Sequence, residues 1–187
     1  MLFTSDGDVW LWGNRNGCCR IRYINGSFQT WRPDEKMPDS RSVSFVFKDS
    51  GQCIWIGADS ELFTVTDGTA QKVYSYNIHE TVSQKVYFYN AHEADGRLFF
   101  VATDRIVVFD NIQQTFLPAV GFESEETRSL NVQFDTEEQA KHLNFNSEQT
   151  LSVNGAALVD NIILIAARTD MYAFDTKSLT MTVCPRP

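Results

Sequence analysis

Ser50-Gly51-Gln52-Cys53-Ile54-Trp55-Ile56-Gly57 runs from a turn through an apolar, aromatic-bearing strand to a terminal glycine, and the chain contains three further versions of it. Asp6-Gly7-Asp8-Val9-Trp10-Leu11-Trp12-Gly13 begins 44 residues earlier. Asp95-Gly96-Arg97-Leu98-Phe99-Phe100-Val101-Ala102 begins 45 residues later, and Asp160-Asn161-Ile162-Ile163-Leu164-Ile165-Ala166-Ala167 another 65 after that. Each version leads into a second short strand. Short strands repeating at roughly forty to fifty residues mark the blades of a β-propeller. The longer last interval then marks an insertion.

Working outward from the quoted stretch, four strands can be placed in order. Ser42 to Lys48 is the innermost, Cys53 to Gly57 the second, Leu62 to Thr66 the third and Gln71 to Tyr76 the outermost. Asp67-Gly68 turns the chain between the last two, because a type I′ hairpin turn needs positive φ at both central positions. The third copy predicts strands over Val86 to Tyr89, Leu98 to Ala102, Ile106 to Phe109 and Thr115 to Leu117. The fourth predicts Leu151 to Val153, Ile162 to Ala166, Met171 to Phe174 and Thr180 to Val183.

The fold class expected is all-β: a propeller segment of about four blades, each a four-stranded antiparallel meander, in one region spanning 1–187. The blades fall near 1–33, 39–78, 84–118 and 149–184, with an insertion at 119–148. That insertion is acidic, with Glu123, Glu125, Glu126, Asp135, Glu137 and Glu138 among its carboxylates. Its alternating Leu130, Val132 and Phe134 suggest an extra hairpin, or a strand followed by a turn and a short helix opening at Thr136 and Gln139. Only Leu2 and Phe3 stand for the innermost strand of the first blade, so that blade reads as incomplete. Four blades can close alone or form an arc of a larger ring; an arc would expose two apolar blade faces and should associate.

Composition narrows the function. With 43% hydrophobic residues, 14 Phe, 6 Tyr and 4 Trp among 187 residues, the chain has ample material for a packed core. No apolar run approaches the roughly 20 residues of a membrane helix, and Met1-Leu2-Phe3-Thr4-Ser5-Asp6 has neither the basic segment nor the apolar run of a secretory leader. A net charge of −8 disfavours nucleic acid, which calls for a basic stripe. Cys18, Cys19, Cys53 and Cys184 lack zinc-ligand spacing and read as buried free thiols.

Local motifs for chemistry are sparse. His79, His92 and His142 are scattered and read as surface residues, and Asp6-Gly7-Asp8 reads as a turn rather than a calcium loop. Asn25-Gly26-Ser27 reads as a hairpin turn. Trp10, Trp12 and Trp55 lie in second strands, where large aromatics wedge between blades. No cofactor, metal site or catalytic residue is expected.

Trp10-Leu11-Trp12-Gly13, Arg20-Ile21-Arg22-Tyr23 and Phe28-Gln29-Thr30-Trp31 together resemble the two-component regulator propeller repeat. The same frame runs through Ile54-Trp55-Ile56-Gly57, Leu62-Phe63-Thr64-Val65 and Val73-Tyr74-Ser75-Tyr76. Copies three and four depart from it: Ala102, and Ala166 or Ala167, stand where Gly would, and the aromatic becomes Phe100 or is lost near Leu164. The resemblance implies the periplasmic sensor region of a hybrid two-component regulator of Bacteroidetes type, recognising glycan fragments and non-catalytic in itself. Any kinase activity would reside outside this chain.

In a propeller, the connections between blades share one face with the turns between second and third strands, a face that ligands commonly use. Residues there are Arg15 and Asn16, Trp31 and Arg32, Asp59, Asp104 and Arg105, and Arg168 and Asp170. Aromatic, Arg, Asn and Asp side chains suit stacking on and hydrogen bonding to an oligosaccharide. The partners expected are such a ligand, and further blades or a homo-oligomer, with no nucleic acid or membrane contact. A protein-interaction scaffold is the first alternative, and a polysaccharide-active propeller enzyme the second.

Overall fold

The structure, a computed structural model, describes residues 1–13, 17–32, 42–66, 69–75, 87–122, 153–167 and 170–184. These form four antiparallel sheets. Sheet I holds β1 (Leu2–Phe3), β2 (Asp8–Gly13), β3 (Gly17–Ile24) and β4 (Ser27–Trp31), hydrogen-bonded in chain order. Sheet II holds β5 (Val43–Lys48), β6 (Ile54–Ala58), β7 (Glu61–Thr66) and β8 (Thr69–Ser75) in the same order. Sheet III comprises β9 (Phe88–Ala94), β10 (Arg97–Ala102), β11 (Arg105–Asp110), β12 (Thr115–Phe116) and β13 (Val120–Gly121). Sheet IV comprises β14 (Val153–Val159), β15 (Ile162–Ala167), β16 (Met171–Asp175) and β17 (Thr180–Cys184).

Hairpin chemistry explains the connections. Asn25 and Gly26, at φ 50° and 82°, turn β3 into β4, and Asp95 and Gly96, at 50° and 74°, turn β9 into β10. Positive φ at both central positions suits the right-handed twist of the flanking strands. The Asp67–Gly68 turn and the Thr136 capping position lie outside the described residues, as does the insertion beyond Phe122.

Two inner strands differ from the sequence expectation. β14 spans Val153–Val159 rather than Leu151 to Val153, and β9 spans Phe88–Ala94 rather than Val86 to Tyr89. The outer strand of sheet III is broken: β12 pairs with Phe109 and Asp110, β13 with Arg105 and Ile106. Pro118 lies between them, and a residue without an N–H interrupts a ladder. Val120–Gly121, at the start of the stretch read as an insertion, thus belongs to sheet III.

The sheets stack face to face through three cores. Trp10, Cys18, Ile54, Ile56 and Phe63 join sheets I and II. Phe45, Trp55 and Leu62 meet Phe88, Leu98 and Phe100 between sheets II and III, and Phe99, Val101 and Ile106 meet Ile163, Tyr172 and Phe174 between sheets III and IV. Each such buried side chain contributes about 1.5–3 kcal/mol relative to exposure. Second-strand residues alternate between the two faces of a blade, Trp55 toward sheet III and Ile54 and Ile56 toward sheet I. The aromatic strand therefore serves two interfaces at once.

A feature not visible in the sequence recurs at the innermost strands. β5 slips by one residue between Val43 and Phe45, β9 between Phe88 and Asn90, and β14 between Val153 and Gly155. A bulge adds local twist at the start of each of these strands. It also frees a carbonyl: Ser44 O, at the first bulge, accepts the Trp12 indole N–H from sheet I at 3.0 Å.

Candidate functional site

The first hairpin places charges at period two. Asp8 and Trp10 of β2 lie opposite Arg22 and Arg20 of β3, so all four share the face turned toward sheet II. Across the junction, β5 ends in Lys48, and the following turn holds Gln52 at φ 69°. A groove of about 270 Å³ opens between the two sheets, lined by Thr4, Asp6, Asp8, Arg20, Lys48 and Gln52 over Trp10, Ile54 and Val65.

Its charges are interlocked. Arg22 binds the Asp8 carboxylate through both Nε and Nη2, the latter at 2.8 Å, and reaches Asp6 at 3.3 Å. Arg20 Nε lies 3.6 Å from Asp8, and its guanidinium sits 4.9 Å above the Trp31 ring centre. Lys48 crosses from sheet II to Asp6 at 3.4 Å. The Thr4 hydroxyl holds the Asp6 carboxyl below the usual carboxylate range, with its own backbone N–H and Lys48 acting in the same direction. Hydrogen bonding and charge from Asp8 raise Arg22 above its usual range.

Two cations, two carboxylates, a hydroxyl and an amide above an apolar floor provide donors and acceptors for a polar, many-hydroxyl ligand. Sequence reasoning missed Asp6, Asp8, Arg20, Arg22 and Lys48. The signal was present in the hairpin, where Asp8, Arg20 and Arg22 fall on one face once the Asp8–Arg22 register is set.

The residues proposed from sequence are distributed differently. Arg15, Asn16 and Arg168 lie outside the described residues. Trp31 ends β4 within the sheet I–II interface, edge-on to Trp10 at 5.6 Å, and exposed Arg32 follows it. Asp59, in the β6–β7 turn, donates its N–H to Ser42 O and accepts from Phe88 N–H, tying sheet II to the start of sheet III. Asp104 and Arg105 form a two-bond pair at 3.0 and 2.7 Å. Close by, the Tyr74 hydroxyl is pushed up by burial, while the Arg105 and Asp104 charges act on it in opposite directions. Asp170 O accepts Ala167 N–H in the β15–β16 turn. The structure thus joins Asp104 to Arg105 and couples Trp31 to the groove through Arg20.

Other sequence readings meet the structure here. Trp10 and Trp55 are buried between sheets. All four cysteines are free, and burial pushes the Cys18 thiol up to about 12 and the Cys53 thiol up to about 11. Only Cys18 is fully buried; Cys19, Cys53 and Cys184 are half-buried. His92 is not a surface residue: it lies opposite Phe99 on the face toward sheet IV, its Nε2 is buried, and burial lowers its pKa. His79 and His142 lie outside the described residues.

No family model matches the chain, and no curated protein does. Solved structures do. The C-terminal WD40 domain of Sif2 matches with a TM-score of 0.59 at 9% identity, over 97% of this chain and 45% of that one. Apo AztD from Citrobacter koseri matches with a TM-score of 0.52 at 11% identity, over 90% of this chain and 41% of that one. The extracellular domain of BT4673 from B. thetaiotaomicron matches at 0.46 and 14% identity, over 100% of this chain and 30% of that one. With the WD40 likeness, the four stacked meanders are blades of a β-propeller fold. The chain spans less than half the length of each of these structures.

Proposed function

We propose that this chain is a ligand-sensing propeller segment, extracytoplasmic and non-catalytic in itself, that recognises an oligosaccharide in the groove between sheets I and II. The observation that carries the reading is the groove's composition: Asp6, Asp8, Arg20 and Lys48 over Trp10. Its two walls come from copies one and two, the copies that most resemble the two-component regulator propeller repeat. The ligand class and the periplasmic setting follow from that resemblance.

The mechanism is differential binding. Lys48 and Gln52 belong to one blade, and Thr4, Asp6 and Arg20 to its neighbour. A ligand bridging them favours one packing of the two blades over others, and that difference in affinity sets the size of the signal. Loop closure or catalysis is not required.

The test is a thermal-shift panel of neutral and acidic oligosaccharides, with product analysis on the same samples. A rise in melting temperature with at least one glycan and no hydrolysis is expected, and Lys48→Ala or Arg20→Ala should abolish the rise. No shift with any glycan would overturn the sensor reading. Glycan cleavage would support the enzyme instead.

A further inference from the structure

Four blades have three junctions among the described residues, which leaves one face of sheet I and one face of sheet IV outside the three cores. Cross-strand partners share a face, so the register identifies both. On sheet I the outward face holds Phe3, Val9, Leu11, Ile21, Tyr23 and Phe28. Phe3, Tyr23 and Phe28 are 68%, 62% and 75% exposed, an unusual state for three aromatics on one face. On sheet IV the outward face holds Ala157, Val159, Leu164, Ala166, Met171 and Ala173, with Val159 and Met171 54% and 48% exposed.

The two faces are opposite halves of one kind of junction. At every internal junction, the later face of one blade packs on the earlier face of the next: Trp10 of sheet I on Ile54 and Ile56, Trp55 of sheet II on Phe100, Phe99 of sheet III on Phe174. Among the described residues, sheet I leaves an earlier face uncovered and sheet IV a later one. Bulky aromatics stand on the first, while small alanines flanked by Leu164 and Met171 stand on the second. Large residues facing small ones interdigitate at core density.

We infer that two copies of this chain close head to tail, sheet IV of each packing on sheet I of the other, into an eight-bladed ring with two-fold symmetry. A second copy presents both missing halves at once, and the blade-on-blade contact continues a pattern already used three times within the chain. Closure leaves neither apolar face in water, which an open stack does.

Sedimentation of residues 1–187 over a wide concentration range tests this directly. Wild type should run at twice its 21.3 kDa mass. Phe28→Glu and Met171→Glu, both at exposed positions, should each give monomers with an unchanged far-ultraviolet circular dichroism spectrum. Mixing the two variants should restore a heterodimer, because the mixture retains one intact sheet I–sheet IV contact. Tyr23→Glu serves in place of Phe28→Glu if that variant misfolds. A monomeric wild type, an open-ended polymer, or a dimer broken by Phe28→Glu but not by Met171→Glu would overturn the head-to-tail ring; the last would indicate sheet I packing on sheet I.

Discussion

A Cβ placed on Gly57 would stand 2.2 Å from Phe45 Cε1 and 2.7 Å from two more atoms of the same ring. Phe45 lies opposite Gly57 just past the β5 bulge, and its ring stacks toward Phe100 in the sheet II–III core at 6.2 Å. The glycine that ends the quoted strand is thus a seat for an aromatic ring, not a backbone-flexibility device. Register puts Val101, rather than the Ala102 expected from the repeat, and Ala166 in the same place just past the bulge: Val101 lies opposite Asn90 and Ala166 opposite Gly155, so larger residues stand where no ring comes down. Overpacking of this kind costs about 1–3 kcal/mol. Gly57→Ala should lower stability by that amount in urea unfolding. In a double-mutant cycle, Gly57→Ala should cost much less in a Phe45→Ala background, because the clash is with that ring. Equal costs in both backgrounds would contradict the seating role.

At the scale of elements, the turns from third to fourth strand in sheets III and IV follow one plan. Asp110 Oδ1 accepts the N–H groups of Ile112 and Gln113, both at 2.9 Å, and Asp175 Oδ1 accepts those of Lys177 and Ser178 at 2.8 and 3.0 Å. Gln114 and Leu179 then take φ of 53° and 56° ahead of Thr115 and Thr180. The Gln113 N–H bond is the first cause holding the Asp110 carboxyl below its ordinary value of 3.8, and the Ser178 N–H bond does the same for Asp175. Both carboxyls bind a proton more weakly in the folded chain, so their stabilisation is complete above pH 3.8 and is lost as pH falls through the lowered folded values. Melting temperature measured against pH should therefore fall more steeply for wild type below 3.8 than for Asp110→Asn/Asp175→Asn, whose amides keep an acceptor without titrating. Second and third strands were legible in the sequence because Ile, Val, Phe and Trp crowd them. The inner strands β9 and β14 were not: Asn90-Ala91-His92-Glu93-Ala94 and Asn154-Gly155-Ala156-Ala157 carry weak strand preference, and pairing with β10 and β15 imposes the conformation.

For the whole molecule, a repeat period was enough to read the architecture, while the groove was hidden because it depends on how two blades face each other across a junction. That same stacking makes stability uneven. Among the described residues, sheets II and III are covered on both faces, whereas sheets I and IV are covered on one. Ile56, Leu62, Leu98, Phe100, Ile106 and Val108 are each fully inaccessible, while Phe28 and Val159 stand open. In a stack whose blades contact mainly their neighbours, a blade with one neighbour opens at lower free energy than a blade with two. Amide exchange in dilute solution should therefore be slowest in β6, β10 and β11, and faster in β3 and β16, although all five are paired on both sides by strands of their own sheet. Raising the concentration should slow exchange in β3 and β16 selectively as the head-to-tail contact covers the outer faces, leaving β6 and β10 unchanged. Uniform protection at low concentration would mean that the blades open as one unit. A concentration effect confined to sheet I, with none in sheet IV, would place the self-contact between two sheet I faces and leave the ring unclosed.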